Sequence, residues 1–214
     1  MTSPNSTRAA ANRRRILDIA LDELLRDPDA SMDQIARAAG LVRRTLYGHF
    51  ANREALFAAL TDTAVEDVTR AFAVGAADPA APADIALARS TLAVWQYADR
   101  YRLLVSLAQH SITDAGIRAR LEPVRRNAAT VIQQGLDDGL FHSPLPARAL
   151  AHLHEHTLFG LMQAVNDGAL PTEGAGAAAV TAVLASVGVP PERAAEVVRR
   201  VRTPDAPGAP DESG

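Results

Sequence analysis

Apolar residues in this chain recur at helical spacing almost from end to end, and that periodicity limits what it can fold into. Ile16, Leu17, Ala20, Leu21, Leu24 and Leu25 fall at the i, i+1, i+4, i+5 positions of one helix face. A longer helix from Asn52 to about Ala73 is expected, with Leu56, Ala59, Leu60, Thr63, Ala64 and Val68 as its buried stripe. Further helical stretches are predicted at about 83–98, 100–112, 115–138, 147–167, 175–187 and 191–202. The breaks are spelled in turn residues: Asp27-Pro28-Asp29, the linker from Gly75 to Pro82, Asp138-Gly139, Ser143 to Pro146, Asp167-Gly168 and Pro190-Pro191. No segment has the β-branched alternation that a sheet strand requires, and no repeat of fixed period is visible. The predicted fold class is all-α.

Composition narrows the rest. The chain has 214 residues, enough for a substantial core, and alanine is roughly a fifth of them, a helix-favouring bias. Cysteine is absent, which excludes disulfides, thiol catalysis and thiolate metal sites. Charge interrupts every apolar run short of a membrane span, and the N-terminal arginines precede no secretory apolar core. A soluble, cytoplasmic protein is the expectation.

The net charge of -3 hides an asymmetry. Residues 1–53 hold nine arginines against six acids, a balance of +3, whereas the remainder balances at -6. A basic head on an acidic body predicts that the head alone meets a polyanion. Every basic residue is arginine. A GC-rich genome produces that bias, but arginine is also the side chain that contacts phosphate and guanine bidentately.

The head has a recognisable local grammar. Ser31-x-x-Gln34 is a capping-box spelling, so a short helix begins at Ser31, and Gly40 closes it. A second short helix spans about Val42 to His49. Ile35, Leu41, Leu46 and Phe50 are predicted to face inward, with small Ala36 letting the helices approach. Arg43, Arg44, Thr45, Tyr47 and His49 are left on or near the outer surface. Donors at the N-terminal end of a short exposed helix suit reading of a DNA major groove.

The run from Arg14 through Leu60 resembles the N-terminal domain of TetR-family transcriptional regulators. The matching pieces are Arg15-Ile16-Leu17 opening the first helix, Ile35-Ala36-x-x-Ala39-Gly40-Leu41, Thr45-Leu46-Tyr47-x-His49-Phe50 and Asn52-Arg53-Glu54-x-Leu56. The resemblance implies a three-helix helix-turn-helix head over 8–52. A long fourth helix joins it to an effector-binding and dimerisation body over 53–202, with a disordered tail at 203–214 and about nine or ten helices in all. Val42 departs from the family, which usually has a capping serine or threonine there; losing that cap costs about 1 kcal/mol.

Roles follow from chemistry and from the resemblance together. Arg43 and Arg44 are candidates for guanine O6 and N7, with phosphate contact as the alternative. Thr45 could meet a thymine methyl or a phosphate. Tyr47 and His49 resemble the family's phosphate-contacting pair, and could instead be rim packing. Ser31 and Arg53 are expected to bind phosphate from helix N-termini. Arg8 and its arm could reach a neighbouring phosphate or minor groove, and Arg13 to Arg15 could be a solvated helix start.

In the body, Leu150, Leu153, Thr157, Leu158, Leu161, Met162 and Val165 form one apolar face. Ala178, Ala179, Ala182, Val183, Leu184 and Val187 form another. The resemblance places the helices at about 147–167 and 175–187 in a four-helix homodimer interface; the alternative is the core of a monomer. It likewise implies a pocket for a small, mostly apolar effector, with Trp95, Tyr101, His110 and Phe159 as candidates. His152 and His156 stand at i, i+4, a spacing that could chelate zinc or nickel with His110, although a plain surface pair is the alternative. No catalytic motif or cofactor fingerprint is present, which argues against a helical enzyme acting on an apolar substrate. The predicted function is a homodimeric repressor, bound to a palindromic operator in double-stranded DNA and released by a small molecule, with no cofactor and no membrane partner. The alternative is a metal- or pH-responsive regulator using His152, His156 and His110.

Overall fold

The computed structural model describes residues 4–108, 116 and 119–202, with side chains over 10–97, 116 and 119–202. His110 and the 203–214 tail therefore lie outside the described residues, as do the side chains of Arg8 and Tyr101. Among the described residues all regular structure is helical. The helices are α1 (Pro4–Arg26), α2 (Met32–Ala38), α3 (Arg43–His49), α4 (Arg53–Gly75), α5 (Ala83–Ala108), α6 (Glu122–Asp137), α7 (Ala147–Asn166), α8 (Ala175–Ser186) and α9 (Pro191–Arg202). No described helix is long and apolar enough to cross a membrane.

The periodicity located these elements with three corrections. The first helix begins at Pro4, well before Arg15, because the intervening Thr-Arg-Ala-Ala-Ala-Asn-Arg-Arg run is made mostly of good helix formers. The expected break between 98 and 100 is absent: α5 runs unbroken from Ala83 to Ala108, and Ala98-Asp99-Arg100 contains no breaker. A helix through 115–138 does not form, since Leu121 is a turn and α6 starts afresh at Glu122. Pro123 explains the restart. It lacks an N–H and clashes inside a helix, but it suits a first turn.

The chain divides into two compact units, one of Met1–Glu66 with Tyr101–Arg120, the other of Asp67–Arg100 with Leu121–Gly214. In the first unit, Ile16, Leu17, Leu21 and Leu24 of α1 are buried, as are Ile35 of α2, Leu46 of α3, and Leu56, Phe57 and Leu60 of α4. Helix α2 packs on both α1 and α3. Arg120 Nε donates to Asp62 Oδ1 at 2.6 Å, tying the end of the 101–120 segment to α4 within this unit.

In the second unit α6 packs on α7, α7 on α8, and α8 on α9. Its core includes Phe72, Leu87, Ile132, Phe141, Leu150, Val183 and Leu184. Phe141 folds its ring over Gly135, where a side chain would collide with it. His142 N donates to Val187 O at 2.9 Å. The next residue, Gly188, has φ +81° and turns a face with no side chain toward the His142 carbonyl, so an alanine would be both strained and obstructed. Two ion pairs cross the packing: Arg193 Nε to Asp84 Oδ2 at 2.7 Å and Arg125 Nη1 to Glu155 Oε2 at 2.6 Å.

Candidate nucleic-acid interface

The site is built from two short helices and the turn that sets their crossing. Ser31 Oγ accepts from the Gln34 amide at 3.3 Å, while the Gln34 side-chain carbonyl accepts from Ser31 N at 2.8 Å and from Ser31 Oγ at 2.7 Å. This reciprocal cap starts α2 where the sequence predicted. At the other end Gly40 adopts φ +67°, with Gly40 N bonded to Arg37 O at 3.0 Å and Leu41 N to Ala36 O at 2.8 Å. This paired closure needs a left-handed residue and redirects the chain sharply into α3. Val42 then occupies the N-cap of α3, 70% exposed and with no side-chain cap bond.

Helix α3 buries Leu46 alone and presents Arg43, Arg44, Thr45 and Tyr47 to solvent, with His49 half-buried beside the buried Phe50 ring. Arg43 Nη1 donates to Asp33 Oδ2 at 2.8 Å, and its guanidinium lies 5.1 Å above the Tyr47 ring. Arg44 is exposed and makes no ion pair among the described residues. Arg13, from α1, lies 5.0 Å over the Phe50 ring, and Arg14 pairs with Asp18 at 3.7 Å. The arginine run at 13–15 is therefore partly engaged with the fold.

Arg53 has structural work at its position. Its guanidinium donates to the carbonyls of Ala30 and, at 2.6 Å, Pro28, and lies 5.1 Å over Phe57. These contacts pin the α1–α2 turn to the start of α4. Neighbouring Asn52 caps α4 by accepting from Ala55 N at 2.8 Å. Sequence reasoning missed the role of Arg53 because its acceptors are backbone atoms more than twenty residues away.

Other predicted residues lie in the second unit. Trp95 is half-buried on its core, close against Gly176 of α8, where a Cβ would meet the indole at 3.1 Å. Phe159 of α7 is half-buried. The two expected apolar faces are split: Leu150, Leu158, Val183, Leu184 and Val187 are buried in the unit's own core. Leu153 is exposed, and Thr157, Leu161, Ala178 and Ala182 are half-buried.

The histidines also separate. His152 and His156 are exposed, and His156 Nδ1 donates to the His152 carbonyl at 2.8 Å. His154 is buried, hydrogen-bonded to Thr91 and edge-on to Phe72 at 5.9 Å. Among the described residues no three His, Asp or Glu side chains are grouped to hold a metal.

Residues 16–60 match the family of bacterial regulatory proteins called the tetR family. The head is a TetR-family domain. Over 52 residues the chain is 42% identical to the uncharacterized HTH-type transcriptional regulator TtgW of Pseudomonas putida, a stretch covering 23% of this chain. It spans only 39% of the length of that relative.

Solved structures extend the likeness beyond the head. The TetR-family regulator PfmR of Thermus thermophilus superposes with a TM-score of 0.65 at 18% identity, over 82% of this chain and 98% of that one. The TetR-like regulator LfrR of Mycobacterium smegmatis, solved with proflavine, gives 0.65 at 21% identity over 84% and 98%. RolR, solved with resorcinol, gives 0.62 at 19% identity over 91% and 96%. The chain thus carries the head domain and the all-helical fold of TetR-family transcriptional regulators.

Proposed function

We propose that this protein is a homodimeric DNA-binding transcriptional regulator, a repressor that leaves a palindromic operator when a small apolar molecule binds its body. One observation carries the reading: Arg43, Arg44, Thr45 and Tyr47 are presented together on a short exposed helix, behind a capped α2 and a Gly40 turn, within a TetR-family head. In this reading Arg44 reads a base edge, Tyr47, His49 and Ser31 contact phosphate, and Thr45 meets a thymine methyl or a phosphate.

A single head touches too few base pairs to select one genomic site, so two copies act on a palindrome. The solvent side of α7, with Leu153, Thr157 and Leu161, and that of α8, with Ala178 and Ala182, is the surface that would join them. Residues 8–52 serve DNA and 53–202 serve the effector and the dimer. Trp95, Tyr101, His110 and Phe159 are the pocket candidates. The proflavine and resorcinol bound by LfrR and RolR support an aromatic or mostly apolar effector. Effector binding would favour a separation of the heads that no longer matches successive major grooves, about 34–36 Å apart. Such coupling is reciprocal, so DNA weakens effector by the same factor. The place of action is the cytoplasm.

The test is a salt-dependent titration of duplex from the gene's own upstream region, with Arg44→Ala alongside. We expect binding at one palindromic site, a steep loss with salt, and a roughly 10- to 100-fold loss for Arg44→Ala. No binding even at low salt would overturn the reading.

A further inference from the structure

Asp33 is an acid placed among the groups proposed to meet DNA. A carboxylate there weakens attraction to phosphate, so its presence calls for a physical reason. It stands in the first turn of α2, and its Oδ2 receives Arg43 Nη1 at 2.8 Å across the α2–α3 junction. Its other oxygen, Oδ1, is buried and has no hydrogen-bond partner among the described residues. The Arg43 guanidinium is held from a second direction by the Tyr47 ring, 5.1 Å away.

Two restraints on one guanidinium leave it with a defined orientation. Nη1 is occupied by Asp33, while Nε and Nη2 make no hydrogen bond among the described residues. Those two groups form the side edge of the guanidinium, with parallel donors spaced to meet guanine O6 and N7 together. The Asp33 charge also cancels that of Arg43, so the pair adds little to sequence-blind phosphate attraction. What remains is directional hydrogen bonding, which discriminates between bases.

We propose that Asp33 is a specificity-determining positioning residue, which braces Arg43 against Tyr47 so that its Nε–Nη2 edge reads a guanine instead of a phosphate. The inference rests on the DNA-binding reading above. A carboxylate that served only the α2 helix dipole would act on stability and leave sequence discrimination unchanged.

The experiment uses the full chain. Wild type selects its preferred duplex from a randomised pool, and affinities for that duplex and for unselected duplex are then measured across salt for wild type, Asp33→Asn, Asp33→Ala, Arg43→Ala and Asp33→Ala/Arg43→Ala. Thermal unfolding confirms that each variant is folded, and Asp33→Asn preserves the shape of the site should Asp33→Ala fail. The expected result is a roughly tenfold fall in the selected-to-unselected ratio for both single Asp33 variants. The salt slope should steepen by about 0.9, the increment for one freed phosphate-binding cation. In the Arg43→Ala background Asp33→Ala should change neither quantity. An unchanged ratio in folded Asp33 variants would overturn the proposal. So would an equal rise in affinity for both duplexes, which would make Asp33 merely a repulsive charge. A wild-type chain that enriches no sequence would overturn the DNA reading itself, and this inference with it.

Discussion

His154 and Thr91 meet inside the second unit, imidazole Nε2 lying 3.2 Å from the threonine Oγ1, with the Phe72 ring edge-on at 5.9 Å. The imidazole is only 2% exposed. Burial, with no acidic partner among the described residues, disfavours its charged form, and its pKa is lowered from 6.5 to about 4.

The consequence is a pH-dependent stability of definite sign. The unfolded chain takes up a proton on this histidine near pH 6.5, while the folded chain resists until about pH 4. The contribution is therefore fully present above pH 6.5 and is lost as pH falls through that window, by about 3 kcal/mol in all. Urea unfolding at a series of pH values should show the loss. His154→Leu should flatten the curve between pH 6.5 and 4 while lowering stability at pH 7 by about 1–2 kcal/mol through the stranded Thr91 hydroxyl. An equally steep curve in that variant would contradict the assignment.

Arg125 and Glu155 join α6 to α7 with both side chains nearly nine-tenths buried or more. Arg125 also donates to Glu122. Replacing Arg125 with Met leaves the Glu155 charge buried without its partner, and should cost about 3 kcal/mol in urea unfolding. Arg125→Met/Glu155→Leu should recover most of that loss, because an apolar pair of similar volume removes the unpaired charge. A double variant no better than the single would locate the effect elsewhere.

Arg53 distinguishes an architectural from a phosphate-binding arginine. Arg53→Met removes its bonds to the Pro28 and Ala30 carbonyls and should destabilise the head by about 2 kcal/mol. If that is its whole role, the slope of log affinity against log salt stays as in wild type. A slope shallower by about 0.9 with unchanged stability would make it a phosphate contact instead.

Val42 leaves α3 without a side-chain cap. The Thr45 amide already donates to the Val42 carbonyl at 2.9 Å, so Val42→Ser supplies an oxygen for the Arg44 amide and withdraws an exposed apolar side chain. We expect a gain of about 1 kcal/mol, seen as a melting temperature higher by roughly 2–4 °C. No gain would mean that the α3 amides are already satisfied by solvent.

Much of the fold and part of the site were legible in the residues, because they depend on neighbours within one helical turn. The capping box at Ser31 and Gln34, the left-handed Gly40 and the inward Leu46 all appear where local rules put them. The exceptions have local causes too: Pro123 restarts a helix, and 98–100 contains nothing to stop one. The side of Arg43 that bears on Asp33 was not legible, since the two are ten residues apart and meet only once α2 crosses α3. The same holds for Arg53, whose acceptors lie 23 and 25 residues away, and for His154 with Thr91, 63 residues apart.

What the sequence by itself determined was periodicity, caps, turns and the basic head, each set by backbone sterics and side-chain chemistry over a few residues. Only the tertiary structure decided which arginines stay exposed, which one brackets a turn, and which histidine of three is buried neutral. Those outcomes depend on how helices distant in sequence pack, and packing selects partners by geometry that no local pattern contains.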